Sequence, residues 1–162
     1  MNTQSHHIGH QNLTIIKWLT FLMFMMFAMT TDAVGVIIPE VMKQFHLSMT
    51  AAGLMHYAPM VAIALAGIFL GFLADKFGRK RTIIIGLALF SVNSYLFLTG
   101  NTFAFFLGLL IISGIAIGVF KTAALALIGD ISKSTTEHTS TMNAVEGFFG
   151  VGAMIGPFIV TY

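Results

Sequence analysis

The stretch GIFLGFLADKFGRKRTIII, residues 67–85, is the part of the sequence that decides the fold. Gly71 and Asp75 are four residues apart, so they lie on one face of a helix end, where the glycine allows a neighbour to approach closely. A carboxylate at a helix C-terminus is disfavoured by the helix dipole unless a cation compensates it. Arg79 is the natural partner, across a turn that Gly78 permits. The stretch therefore predicts two apolar helices joined by a short, charge-paired turn.

The composition of the whole chain predicts a membrane protein. Of its 162 residues, 57% are apolar and 9% are charged, whereas ordinary chains have roughly 25% charged residues. A soluble core of this size cannot bury so much apolar side chain, which excludes a soluble enzyme and a nucleic-acid binder. The chain contains no cysteine, which removes disulfides and thiolate metal sites from consideration.

Five apolar runs are long enough to cross a membrane, since about 20 helical residues span about 30 Å of hydrocarbon. They cover about 15–38, 51–73, 82–99, 103–128 and 140–162. The runs are continuously apolar rather than alternating, which predicts an all-α polytopic membrane bundle and not a β-barrel. We interpret residues 1–12 as a polar cytoplasmic tail. Its histidines, His6, His7 and His10, have no fourth ligand nearby in sequence, so we expect no metal site.

The distribution of Lys and Arg predicts the orientation, because basic residues concentrate in short cytoplasmic loops. With the N-terminus inside, only Lys43 falls outside, and Lys121 lies within the membrane. The other six lie on the cytoplasmic side: Lys17, Lys76, Arg79, Lys80, Arg81 and Lys133. We expect a multi-pass protein of the inner (plasma) membrane with a cytoplasmic N-terminus. An odd number of helices ending in GPFIVTY (156–162) also leads us to expect the front part of a longer protein.

The segment GFLADKFGRK, residues 71–80, resembles the conserved loop of the major facilitator superfamily, Gly-x-Leu-Ala-Asp-(Arg/Lys)-x-Gly-Arg-(Arg/Lys), at every characteristic position. A basic inner loop alone would not explain the glycines and the aspartate at this spacing. The resemblance implies a twelve-helix secondary transporter whose two six-helix halves rock against each other. It also implies a conformational latch formed by Gly71, Asp75, Gly78, Arg79 and Lys80. The C-terminal half of the transporter would be the partner of these five helices.

Ionisable residues inside the apolar runs need an explanation, because each costs at least about 2.5 to 3.5 kcal/mol at the centre of a membrane helix. Asp32 lies about two thirds of the way along the first helix, which we expect to close at Pro39. His56 lies at a similar depth. Asp32 is either a helix-end residue in periplasmic water or a cavity carboxylate that binds a substrate or a proton.

Lys121 and Glu146 both lie roughly 10 to 12 Å from the cytoplasmic face, at 1.5 Å per helical residue. Adjacent antiparallel helices would bring them to one level, so we predict that they form an ion pair or face the same aqueous cavity. Pairing would be a structural way to accommodate both charges, and a role in proton or substrate handling is the alternative. The candidate substrate and proton cavity comprises Asp32, His56, Asn93, Lys121, Asn143 and Glu146.

Two more segments point to a branch of the superfamily. The runs 143–159 (NAVEGFFGVGAMIGPFI) and 120–132 (FKTAALALIGDIS) look like parts of the fucose, glucose and galactose permeases, which couple sugar uptake to a proton. That branch would carry a carboxylate where Lys121 stands, so Glu146 or Asp32 would have to take the proton.

A different signature favours export. Gly152, Gly156 and Pro157 fit the GxxxGP pattern of antiporters in the superfamily, where they would pack helices together.

We therefore predict a secondary transporter of a small solute, with proton-coupled uptake of a sugar or polar metabolite as the preferred function. A proton-coupled antiporter that exports drugs or other amphipathic compounds is the first alternative. A membrane fragment or scaffold without transport is the second, because five helices cannot complete a two-bundle cavity. No nucleophile–base pair or metal constellation appears at a plausible spacing, so we expect neither an enzyme nor a cofactor. The expected partners are a small-molecule substrate, protons and the lipid bilayer.

Overall fold

The computed structural model describes the backbone of residues 3–161 and the side chains of residues 12–161. Its elements are α1 (Thr3–Phe45), α2 (Met49–Leu70), the single turn α3 (Leu73–Lys76), α4 (Arg79–Leu96), a 3₁₀ turn (Phe97–Thr99), α5 (Phe103–Ile131) and α6 (Thr135–Thr161). No strand occurs in this described part of the chain. All helices except α3 are long and apolar enough to cross a membrane. The predicted all-α membrane bundle is confirmed.

The first helix is longer than its apolar run. α1 begins at Thr3 and continues through Pro39 to Phe45, so the expectation that Pro39 closes this helix is wrong. Membrane helices tolerate proline where neighbouring groups satisfy the freed backbone carbonyl. The chain leaves the helix at His46, whose φ of 50° lies in the left-handed region.

The last helix begins at Thr135 rather than at about 140, because a polar cap fixes its start. The Glu137 N–H donates to Ser134 Oγ at 3.1 Å, and the Glu137 carboxylate accepts from the Lys133 N–H at 2.9 Å. This is a variant of the capping box, in which a serine and a glutamate three residues apart satisfy the free N–H groups of a helix start. The spacing is visible in the sequence, although the segment is not apolar.

α5 is the central helix of the bundle. It packs against α2 and α4, while α6 packs chiefly on α1. The most apolar window of α5 is 44% buried, against 17–28% for the other four long helices. Aromatic rings join the two groups of helices: Phe24 and Phe27 of α1 contact Phe120 of α5, with ring centroids 5.5 and 4.7 Å apart. The centre of the molecule is therefore an aromatic core.

Glycine allows close backbone contact at two helix interfaces. A Cβ at Gly152 or Gly156 of α6 would overlap backbone carbonyl oxygens of α1. A Cβ at Gly114 or Gly118 of α5 would likewise overlap carbonyls of α2. Gly152 and Gly156 thus occupy packing positions, and the half-buried Pro157 follows them inside α6. Small residues of this kind let membrane helices approach closely.

Large apolar side chains cover the outside of the bundle. Ile68, Leu98 and Met154, for example, are 74%, 79% and 77% exposed. Such a surface would be an aggregation hazard in water, but it is the normal surface of a protein in lipid. The protein is a multi-pass membrane protein.

Candidate functional site

A cavity of about 500 Å³ lies among α1, α2, α4 and α5, with one residue each from the 3₁₀ turn and α6. Its walls are mostly apolar, and aromatic rings from four elements line it: Phe27, Phe90, Phe97 and Phe149. Three of the described lining side chains are ionisable: Asp32, His56 and Lys121. Pockets of roughly 300 to 1,000 Å³ with apolar walls and a few polar groups are typical of sites for drug-sized ligands. The cavity therefore has the dimensions and lining of an amphiphile site.

Asp32 has no strong partner in this cavity. The side chain is half-buried, and no cation lies within ion-pair distance of it among the side chains that the structure describes. The Thr31 hydroxyl lies 3.3 Å from Asp32 Oδ2, but it is closer to the Phe27 carbonyl oxygen, at 2.9 Å. A hydroxyl has one hydrogen to donate. The carboxylate therefore keeps most of its capacity to bind another group.

Lys121 does not pair with Glu146, so the predicted ion pair is wrong. The Lys121 ammonium lies over the rings of Phe149 and Phe24, 4.7 and 5.6 Å from their centroids. No ion pair within the described chain includes Lys121. The reason is the helix order: α6 packs on α1 and barely contacts α5. α5 and α6 are consecutive in sequence but are not close neighbours in the bundle.

The other four predicted cavity residues fall into two groups. His56 lines the cavity with its ring edge-on to that of Tyr57. Asn93 lies behind the wall, 2% exposed, where its Nδ2 donates to the Leu109 carbonyl at 2.8 Å and to Ser113 Oγ at 2.7 Å. It joins α4 to α5.

Asn143 and Glu146 lie outside the cavity. Both are exposed on the face of α6 that turns away from the bundle, together with Gly147 and Gly150. These four residues form a polar, small-residue stripe that faces outward and not into the cavity.

The loop at the α3 end of the bundle forms a three-residue charge cluster. Arg79 Nη1 donates to Asp75 Oδ1 at 2.5 Å, and Arg79 Nε donates to Asp130 Oδ2 at 2.9 Å. The predicted Asp75–Arg79 pair is formed, and one guanidinium joins the loop to the end of α5. Asp130 was not predicted from the sequence, although the predicted topology places it at the same membrane face as Arg79.

The remaining loop residues have distinct positions. A Cβ at Gly71 would lie 2.7 Å from the Gly67 carbonyl oxygen at the end of α2 and 3.2 Å from Thr122 of α5, so the glycine is required by the backbone as well as by the approach of α2 to α5. Gly78 has a φ of 85°, which few other residues adopt, and it turns the chain into α4. Lys80 is exposed.

A second ion pair at the α3 end was also missed. Lys17 Nζ lies 2.6 Å from Glu137 Oε1, with side chains 22% and 34% exposed. This pair ties the beginning of α6 to α1. Glu137 also caps the start of α6. The three-residue spacing of Ser134 and Glu137 in the sequence could have predicted this cap.

No group of three or more His, Asp or Glu among residues 12–161 is placed to hold a metal ion. His6, His7 and His10 lie outside the described side chains.

Residues 20–162 match the family model described as Major Facilitator Superfamily. The chain belongs to this superfamily. The resemblance predicted from the loop at residues 71–80 is thus confirmed at the level of the family. A major facilitator is a transporter rather than an enzyme, as the sequence predicts.

Two similar relatives are drug-resistance proteins. Multidrug resistance protein 2 of Bacillus subtilis (strain 168) is 32% identical over 121 residues, 75% of this chain and 30% of the relative. Quinolone resistance protein NorA of Staphylococcus aureus (strain Mu50 / ATCC 700699) is 31% identical over 153 residues, 93% of this chain and 37% of the relative. The chain spans about a third of the length of these curated relatives.

These relatives do not support the sugar-symporter branch, and they fit the antiporter alternative better. The physical reason lies in the pattern used for the branch. The glycines of residues 143–159 that lie in contacts, Gly152 and Gly156, pack α6 on α1. The pattern therefore reports how the helices pack and says little about cargo.

Proposed function

We propose that this chain is part of a drug-efflux transporter, in which the cavity beside Asp32 binds amphipathic organic compounds for export. The observation that carries the proposal is a carboxylate without a strong partner in an apolar, aromatic-lined cavity. Apolar walls and ring faces bind flat organic molecules without demanding specific hydrogen bonds, and the carboxylate attracts a basic group. The names of the two relatives, which refer to multidrug and quinolone resistance, support this choice of cargo.

Proton exchange would use the same carboxylate. Protonation removes the charge of Asp32 from the membrane interior, and with it the attraction for a basic cargo. A proton and a cationic compound would then compete for one site. Such competition is sufficient for an antiporter, in which proton entry drives release of the drug.

Protein outside this chain would complete the transporter. Asn143 and Glu146 are exposed on a membrane helix, and a charged side chain that faces lipid is costly. A further helical unit or an aqueous passage is expected against this face. The relatives are about three times as long as the matched part, which leaves room for a second bundle that rocks against this one.

The charge cluster of Asp75, Arg79 and Asp130 would serve as the latch on the cytoplasmic side. The excess of Lys and Arg at this end supports a cytoplasmic N-terminus in the inner (plasma) membrane. In the outward-open state the cluster would hold the loop against α5, and its opening would accompany the opposite state.

Efflux measurements on Asp32 variants test the proposal. The complete reading frame that contains residues 1–162 would be expressed in cells loaded with ethidium, a flat aromatic cation. Asp32→Asn should reduce ethidium efflux at least about tenfold, because a charge-assisted contact in a mostly apolar cavity is lost. Asp32→Glu should keep part of the activity, since it keeps the charge.

Glu40→Gln is the matched control, because Glu40 is a carboxylate on the same helix that is exposed and lies outside the cavity lining. Its efflux should stay within about twofold of the wild type. Wild-type efflux from the Asp32→Asn variant would contradict the proposal. Uptake of a labelled sugar driven by an inward proton gradient, without ethidium efflux, would restore the uptake hypothesis instead.

A further inference from the structure

The cavity contains two opposite charges that do not neutralise each other. Asp32 and Lys121 are the formally charged side chains in its described lining, so the sum of formal charges there is zero. The Lys121 ammonium lies over Phe24, and Asp32 is eight residues further along α1 than Phe24. At 1.5 Å per residue the backbones of Phe24 and Asp32 are roughly 12 Å apart along the helix axis, and no ion pair joins Asp32 to Lys121.

Each charge has only a weak partner. The Asp32 carboxylate is near the Thr31 hydroxyl, which also donates to the Phe27 carbonyl. The Lys121 ammonium contacts the ring faces of Phe24 and Phe149. A ring face attracts a cation less strongly than a carboxylate does, because the ring has a quadrupole and no net charge. Both groups thus keep the ability to bind an opposite charge supplied by a ligand.

The cavity wall between the two charged residues is apolar and aromatic, so it can pack against an aromatic ring system of a ligand. Phe27 and Phe90 line the cavity in the same part of the core, with ring centroids 4.8 Å apart, and Ile117 of α5 lines it beside them. A ligand with a single positive charge would gain from Asp32 but would be repelled by Lys121 at the other end. A ligand with one charge of each sign would gain at both ends.

We infer that the cavity is selective for dipolar aromatic amphiphiles, whose basic amine binds Asp32 and whose carboxylate binds Lys121. The inference rests on the proposed drug-efflux function and adds the substrate class. Lys121 is then the residue that determines specificity for the acidic end of the cargo. A carboxylate of the cargo would replace the contacts of the Lys121 ammonium with the rings of Phe24 and Phe149.

Binding measurements with matched probes test the assignment. The complete protein in lipid nanodiscs would be titrated with norfloxacin, which carries a carboxylate and a basic amine at opposite ends of a flat ring system. Its methyl ester lacks the negative charge, its N-acetyl derivative lacks the positive charge, and tetraphenylphosphonium is a simple cation. The wild type should bind norfloxacin about tenfold more tightly than the ester, the ratio expected for one charge-assisted contact.

The Lys121→Met variant should lose this discrimination. Its affinity for norfloxacin should fall about tenfold while its affinity for the ester stays within about twofold, and tetraphenylphosphonium should bind more tightly. Lys121→Arg should keep the preference for the acid. Asp32→Asn is an independent test, because it should weaken norfloxacin and tetraphenylphosphonium but not N-acetyl norfloxacin.

The outcomes separate the inference from the proposed function. If Lys121→Met weakens acid and ester equally, or if the wild type does not prefer the acid, Lys121 has only a structural role and the inference fails. If tetraphenylphosphonium binds and is exported while norfloxacin is not, the efflux function stands and the dipolar substrate class fails. If none of the four probes binds the wild type, both fail.

Discussion

The charges at the α3 end of the bundle and the charges in the cavity are arranged in opposite ways. At the α3 end, Arg79 contacts two carboxylates and Lys17 contacts Glu137. In the cavity, Asp32 and Lys121 have no ion pair within the described side chains. The difference teaches that pairing marks the charges that hold helices together. Charges left without a strong partner in an apolar site are the ones available to a ligand or a proton.

The two regions also differ in their contact with water. Asp75 and Asp130 have side chains 73% and 54% exposed, so their ion pairs are screened and individually weak. Asp32 is half-buried among apolar groups, where removing its charge should have a larger effect on the binding of a charged ligand. Substitutions in the cavity should therefore alter ligand binding. Those at the α3 end should alter only the balance between conformations or the stability.

The largest effect expected at the α3 end is that of Arg79→Gln. This change removes both ion pairs of the cluster, so the loop loses its connection to α5. Without these contacts the population of the latched state should fall, and ethidium efflux should fall several-fold with it. The affinity of the cavity for ethidium should stay within about twofold of the wild type, as measured by fluorescence titration.

Arg81→Gln is the control for this prediction, because Arg81 is an exposed basic residue two positions along the chain. It should leave both efflux and binding close to the wild type. If Arg79→Gln weakened ethidium binding as strongly as it reduced efflux, the division between the two regions would be wrong.

A smaller effect is expected for Lys17→Met. The Lys17–Glu137 pair is partly exposed, and such pairs contribute little to stability. The midpoint of thermal unfolding should fall by less than about 3 °C, and efflux should stay within about twofold. Glu137→Gln should behave in the same way apart from its capping role, and the double variant should be no less stable than Glu137→Gln alone. Loss of efflux in Lys17→Met would assign the pair to the transport cycle rather than to helix packing.

Much of the fold follows from the sequence, because in a lipid bilayer the length of an apolar run directly predicts a membrane-spanning helix. The five helices and the charge-paired turn between α2 and α4 needed only the apolar runs and the spacing of Asp75 and Arg79. The helix ends were harder to predict. Pro39 stops soluble helices more reliably than membrane helices, and the start of α6 depends on the polar cap at Ser134, which an apolar run does not include.

The site could be predicted only in part. Asp32 and Lys121 could be identified from the sequence because an ionisable side chain inside a membrane is costly in free energy and is therefore usually functional. Which helices pack together is a property of the tertiary structure, and the assumption that consecutive helices are neighbours produced the mistaken Lys121–Glu146 pair. For the same reason, the contact of Arg79 with Asp130, 51 positions away in the sequence, could not be predicted.

Ligand protection of a cysteine in the cavity would show whether ethidium binds beside Asp32. Ser94 is an exposed cavity residue, and residues 1–162 contain no cysteine. In the complete protein, with any cysteines elsewhere replaced, Ser94→Cys would be reacted with a soluble maleimide. Asn101→Cys, in the exposed turn before α5, is the reference. With ethidium at ten times its Kd, labelling of Ser94→Cys should slow about tenfold and that of Asn101→Cys should not change. Equal labelling of Ser94→Cys with and without ethidium would contradict the account.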